Sequence, residues 1–167
     1  MRQRPSTLTL GAFLALYGGV YEHSPHFAES LWPEAAGGGL DTLAGLAGAL
    51  RAAVEASGHD AQLALIRAHP DLAGRVKLTP ESQGEQAGAG LDHCSPAELE
   101  AFLALNTAYR AKFGFPFIKA VRGFTRPQIL AEFRQRLDND PGTEFKTALE
   151  QIHRIALLRL TDLAEPA

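Results

Sequence analysis

A chain of 167 residues, 46% of them apolar, is the size of one domain and can bury roughly two-thirds of the surface its unfolded form exposes. Its 16 Lys and Arg stand against 19 Asp and Glu, and a formal charge of -3 offers no field to attract nucleic acid or an anionic membrane, so the expected partner is small or a protein. The single cysteine, Cys94, excludes an internal disulfide, a zinc ribbon and a CxxC pair, and suits a reducing compartment.

The basic start Met1-Arg2-Gln3-Arg4-Pro5 leads into an apolar run interrupted by Gly11, Gly18 and Gly19. It has no cleavage signature, and no run in the chain approaches the roughly 18 apolar residues of a membrane span, so a soluble cytoplasmic protein is expected. Apolar residues recur at spacings of three and four, which predicts an all-α domain of about eight helices over 1–167. Thr9 is placed to cap a helix carrying Phe13, Leu14 and Tyr17, and Ser24-Pro25 to open a second one running to about Leu31. Gly37-Gly38-Gly39 reads as a loop. Asp41 is expected to cap a helix with Leu43, Leu46, Leu50 and Val54 on one face, and Asp60 a further helix that Pro70 stops. An irregular stretch to Leu78 precedes Thr79-Pro80, the start of a helix that runs out at Gly88-Ala89-Gly90. Ser95-Pro96-Ala97-Glu98 is a capping box before a helix whose apolar face is predicted to be Leu99, Phe102, Leu103 and Tyr109, broken by Gly114. Phe115-Pro116-Phe117-Ile118 is expected to be extended or turned, because the residue before proline is pushed out of the helical region. Helices at about 127–137 and 143–163 complete the chain.

Three places could carry chemistry. Ser82, Glu85 and Gln86 stand at i, i+3 and i+4, so a hydroxyl, a carboxylate and an amide share a helix face that could hold a small polar molecule or merely be solvated. Gly84, Gly88 and Gly90 nearby are costly in a helix and suggest a close approach of backbone or ligand. His69 ends a helix against Pro70, a stiff setting for a group that exchanges protons near neutral pH. Arg159 projects from the same side of the last helix as Phe145, Ile152, Ile155, Ala156 and Leu163, so a charge on an apolar stripe needs either an internal carboxylate or an anionic ligand. His23-x-x-His26 and His93-Cys94 lack a matched second ligand pair, and no metal is expected. Lys77, Lys112, Lys119 and Lys146 all read as surface residues.

His69-Pro70-Asp71-Leu72-Ala73-Gly74-Arg75, followed by Leu78-Thr79-Pro80-Glu81-Ser82-Gln83-Gly84-Glu85-Gln86-Ala87-Gly88-Ala89-Gly90-Leu91, resembles the 2-oxo-4-hydroxy-4-carboxy-5-ureidoimidazoline (OHCU) decarboxylase family. So do the run Leu105 to Ile118 and the stretch Ile152-His153-Arg154-Ile155-Ala156-Leu157-Leu158-Arg159-Leu160. The resemblance implies an all-α fold, commonly a homodimer, and the last step of uric acid conversion to (S)-allantoin, without a cofactor. It implies His69 and Glu85 as catalytic residues, and Pro70, Ser82, Gln86, Phe117, Ile118 and Arg159 as substrate-binding ones. A fused hydroxyisourate hydrolase domain, present in some relatives, is not expected at this length. Two other readings stay open on the residues alone. One is a helical interaction module in which Arg159 closes an internal salt bridge; the other is a metal-dependent hydrolase using His23, His26 or His93.

Overall fold

The structure, a computed structural model, describes residues 1, 3–74 and 78–164. Among these residues are nine α-helices, two short 3-10 turns at Pro5–Thr7 and Leu91–His93, and no strand. The chain divides into two units, Met1–Ala68 with His153–Ala167, and His69–Ile152.

In the first unit, α1 (Leu10–Tyr17) starts where the Thr9 hydroxyl accepts the Ala12 N–H and stops at Gly18. Its Phe13 ring packs against Tyr17 and Trp32 at 5.3 and 5.5 Å. α2 (His26–Ser30) begins one residue later than the sequence suggests: Pro25 is its N-cap, and the Ser24 hydroxyl donates instead to the Glu22 carbonyl at 2.9 Å. α3 (Trp32–Ala36) was not anticipated, although Pro33 in its first turn is favourable for a helix start. α4 (Leu43–Ala56) is capped by Thr42 rather than Asp41. Asp41 is taken by a distant partner, accepting from the Ser6 N–H at 2.9 Å and the Ser6 hydroxyl at 2.6 Å. α5 (His59–Ala68) includes Asp60 in its first turn, where a carboxylate complements the helix dipole without capping. Leu46, Leu50 and Val54 of α4 and Leu65 and Ile66 of α5 form the buried centre.

The second unit holds α6 (Pro80–Gly88), α7 (Pro96–Phe113) and α8 (Arg126–Arg136), together with the opening turns of α9 (Pro141–Ala164). Thr79 caps α6, and Ser95 and Glu98 make the reciprocal capping box on α7. Gly114 closes α7 with φ 75°, a left-handed conformation that favours glycine. The buried side of α7 is Phe102, Asn106 and Tyr109, whereas Leu103, expected on that face, is 37% exposed. Tyr109 is ringed by Phe113, Phe115, Phe117 and Phe133, and Phe117 stacks on Phe133 with centroids 3.8 Å apart. Gly90, with φ 72°, offers its carbonyl to Arg126 Nη1 at 2.9 Å, while Arg126 Nε reaches Glu98 at 3.1 Å.

Candidate active site

His69 directly follows α5, and Pro70 prevents the helix from continuing. It is buried, with 6% of its surface exposed. The turn behind it, Asp71 to Gly74, is held almost entirely by side chains. Gln86 Oε1 accepts the Ala73 N–H at 3.0 Å and Gln86 Nε2 donates to the Asp71 carbonyl at 3.3 Å. Asn106 Nδ2 donates to the Leu72 carbonyl at 2.9 Å. Arg110 Nε pairs with the Asp71 carboxylate at 2.9 Å. Ala73 has φ 52°, an uncommon conformation for a residue with a Cβ, and these contacts compensate its strain.

The face of α6 forms as its spacing requires. Ser82 and Gln86 are buried and Glu85 is half-buried beside them, so Gln86 brings the polar face of α6 against the turn that follows His69. Among the described residues, no other stretch of backbone approaches Gly84 or Gly88 of α6 closely. Among the described residues, a Cβ at Gly84 or Gly88 would meet nothing within 4 Å, and only at Gly90 does one meet a neighbour, Arg126 Nη1 at 2.9 Å.

Phe117 and Ile118 lie in an irregular strap outside any helix, with every residue from Phe115 to Val121 buried. Its backbone is tied by side chains: Arg136 Nη1 donates to the Ile118 carbonyl at 2.7 Å, and the Ala120 N–H donates to Gln151 Oε1 at 3.0 Å. Arg136 is in turn gripped by Glu144, which accepts from Nε at 2.8 Å and Nη2 at 2.5 Å and also from the Tyr109 hydroxyl. Burial, then the Glu144 hydrogen bond, pushes the Tyr109 hydroxyl well above its ordinary pKa, so it stays a donor.

Arg159 belongs to the first unit and is 6% exposed, as its place on the apolar stripe demands. Its Nη1 lies 3.0 Å from Glu22 Oε2 and also donates to the carbonyls of Gly19 and Val20, at 3.2 and 3.4 Å. An internal carboxylate therefore meets its charge, one of the two partners the sequence allowed.

The remaining candidates are dispersed. His23 and His26 are exposed, and His93 pairs with Asp92 at 2.7 Å. Among the described residues no three His, Cys, Asp or Glu side chains converge to hold a metal ion. Cys94 donates weakly to the Leu91 carbonyl, and burial pushes its thiol pKa up. Lys112 and Lys146 are exposed as expected, and Lys77 lies outside the described residues. Lys119 is not a surface residue. It is 5% exposed, with Nζ 2.7 Å from Glu132 and 3.5 Å from the Phe124 ring centroid, because the strap carries it inward and a carboxylate and a ring satisfy it there. Asn106, Arg136 and Glu144 escaped the sequence reading, though each is a polar residue in register with buried apolar ones, the same signal that singles out Arg159.

The OHCU decarboxylase family model matches residues 6–161. A 2-oxo-4-hydroxy-4-carboxy-5-ureidoimidazoline decarboxylase from Halalkalicoccus jeotgali is 44% identical over 154 residues, covering 92% of this chain and 86% of that protein. The crystal structure of an (S)-allantoin synthase superposes with a TM-score of 0.77 at 37% identity, covering 95% of this chain but 52% of that one. The crystal structure of an OHCU decarboxylase in the presence of (S)-allantoin gives a TM-score of 0.70 at 26% identity, over 86% of this chain and 94% of that one. With the family model spanning both units and a relative this similar matched over most of both lengths, the chain belongs to the OHCU decarboxylase family.

Proposed function

We propose that this protein converts 2-oxo-4-hydroxy-4-carboxy-5-ureidoimidazoline to (S)-allantoin and carbon dioxide. What carries the reading is the family match over residues 6–161, within which a buried polar helix face is stitched to the turn that follows a buried histidine. The bond from the ring carbon to its carboxylate breaks, and carbon dioxide leaves. The electron pair left behind becomes a carbon–carbon double bond as the neighbouring imine takes its own pair onto nitrogen and gains a proton. The hydroxyl then loses its proton to become the ring carbonyl, and the ureido-bearing carbon gains one. One proton is taken up overall, and the substrate acts as its own electron sink.

In this reading His69, steered by Glu85, handles the hydroxyl proton, and one of the pair delivers a proton to carbon on a single face. Ser82 and Gln86 fix the ring and ureido arm, with Pro70 shaping the wall beside His69. Gln86 carries two Nε2 hydrogens and two Oε1 lone pairs, so holding the turn uses one of each and leaves chemistry for a ligand. The backbone at Phe117 and Ile118 hydrogen-bonds the ring. Arg159 is assigned to an anionic or carbonyl group of the substrate on the family resemblance alone. A homodimer and a cytoplasmic location complete the reading.

The test is to generate the unstable substrate in situ from urate with uricase and hydroxyisourate hydrolase and to follow the circular dichroism of allantoin. Rapid appearance of the (S) signal with this protein, against slow racemic formation without it, is the expected result. Equal rates with and without the protein reject the function.

A further inference from the structure

The strap from Phe115 to Val121 is a buried stretch of chain with no helix or sheet to pair its backbone. One residue, Arg136, engages both members of its central dipeptide. Its Nη1 donates to the Ile118 carbonyl at 2.7 Å, and its guanidinium carbon lies 4.3 Å from the centroid of the Phe117 ring, which is stacked on Phe133 from α8. Arg136 cannot drift, because Glu144, fully buried, takes Nε at 2.8 Å and Nη2 at 2.5 Å. Asn139 Nδ2 at 2.8 Å and the Tyr109 hydroxyl complete the bonds to that carboxylate. The planar fork is what makes this possible: the Nε and Nη2 N–H groups of one edge hold the Glu144 Oε1 oxygen while Nη1 reaches the strap, which a single ammonium cannot reproduce.

A trans peptide is planar, so holding the Ile118 carbonyl sets the direction of the following N–H and restrains the adjoining peptide at Phe117. We propose that Arg136, braced by Glu144 and Tyr109, is a positioning residue for the decarboxylation, setting the Phe117–Ile118 backbone in the orientation that receives the substrate ring. This rests on the assignment of Phe117 and Ile118 to substrate binding made above.

Arg136→Lys, checked for folding by far-ultraviolet circular dichroism and assayed well below its melting temperature, is expected to raise KM and weaken (S)-allantoin binding about tenfold or more. A purely structural ion pair would lower the melting temperature and leave both constants unchanged. Glu98→Gln, which loosens the Arg126 pair in the same unit, is the control for destabilisation alone and should leave KM as in wild type. Should Arg136→Lys fail to fold, Tyr109→Phe removes only the hydroxyl from Glu144 and is expected to weaken (S)-allantoin binding by a smaller factor. Wild-type KM and affinity in whichever folded variant is measured overturn the proposal. Amide resonances of Phe117 and Ile118 in the wild-type protein, followed as (S)-allantoin is added, separate the two ideas. If they shift but the variants bind normally, the role of Arg136 alone is wrong; if they do not shift, the strap assignment fails and the proposal with it.

Discussion

Gln86 closes the turn after His69 from both ends, its carbonyl oxygen accepting the Ala73 N–H at 3.0 Å and its amide nitrogen donating to the Asp71 carbonyl at 3.3 Å. Gln86→Glu keeps an acceptor for Ala73 but sets a second acceptor against the Asp71 carbonyl. Among the described residues the half-buried Asp71 carbonyl then keeps only the Gly74 N–H at 3.4 Å. Losing a neutral hydrogen bond costs about 0.5–1.5 kcal/mol, so the variant should lose about that much in urea unfolding and lose turnover as well. Wild-type stability would mean that Asn106 and Arg110 hold the turn unaided.

His69→Asn preserves a small polar side chain without an exchangeable imidazole. Removing a general acid or base commonly costs about a hundredfold or more in rate, and that loss is expected in a variant with the wild-type circular dichroism spectrum. Turnover within a factor of about three would reassign the proton transfer.

Glu22 and Arg159 are both nearly inaccessible and 3.0 Å apart, so replacing the acid by leucine takes a carboxylate away from a buried cation. Glu22→Leu should cost about 3–5 kcal/mol by chemical denaturation. Arg159→Lys keeps the charge and loses the fork, and on the proposed substrate role it should weaken (S)-allantoin binding. Unchanged affinity in that variant would leave Arg159 a purely internal partner of Glu22.

Gly84 is exposed within α6, and a Cβ there meets nothing within 4 Å among the described residues. Gly84→Ala should therefore stabilise the protein by about 0.5–1 kcal/mol, through the entropy of the unfolded chain. Gly90→Ala should have the opposite sign, because φ is 72° and the new Cβ would lie 2.9 Å from Arg126 Nη1. Thermal melts of the pair check both signs at once.

The Ser6 hydroxyl first, and the Ser6 N–H second, hold the Asp41 carboxyl below its ordinary value of 3.8. The folded state thus binds this proton less readily than the unfolded chain. Its contribution to stability is complete above the ordinary carboxylate range and disappears as pH falls through the lower folded value. The advantage of wild type over Ser6→Ala in unfolding midpoint should be present near neutral pH and shrink as pH falls through and below the ordinary carboxylate range. A difference independent of pH would assign it to the neutral hydrogen bond alone.

What the sequence settled without help was local: the helical period, the Thr9, Thr79 and Ser95 caps and the helix stop at Gly114. These depend on residues within a turn of one another, so spacing carries the information. The burial of Arg159 was equally legible, because a charged residue on an otherwise apolar face marks itself by periodicity. The face of Ser82 and Gln86 could equally have been solvated, and only the structure buries it. Competition between equivalent partners was not legible. Asp41 and Thr42 are both good caps, and only Ser6, 35 residues away, removes Asp41 from the contest. Leu99 and Leu103 fit an apolar stripe as well as Asn106 does, yet α7 turns Asn106 inward, where the Leu72 carbonyl needs a donor. Lys119 looked like any surface lysine until Glu132 and the Phe124 ring stood beside it. Tertiary structure alone decided these points, since a buried charge or backbone carbonyl is stable only where a distant part of the chain supplies its partner, and sequence spacing does not encode that distance.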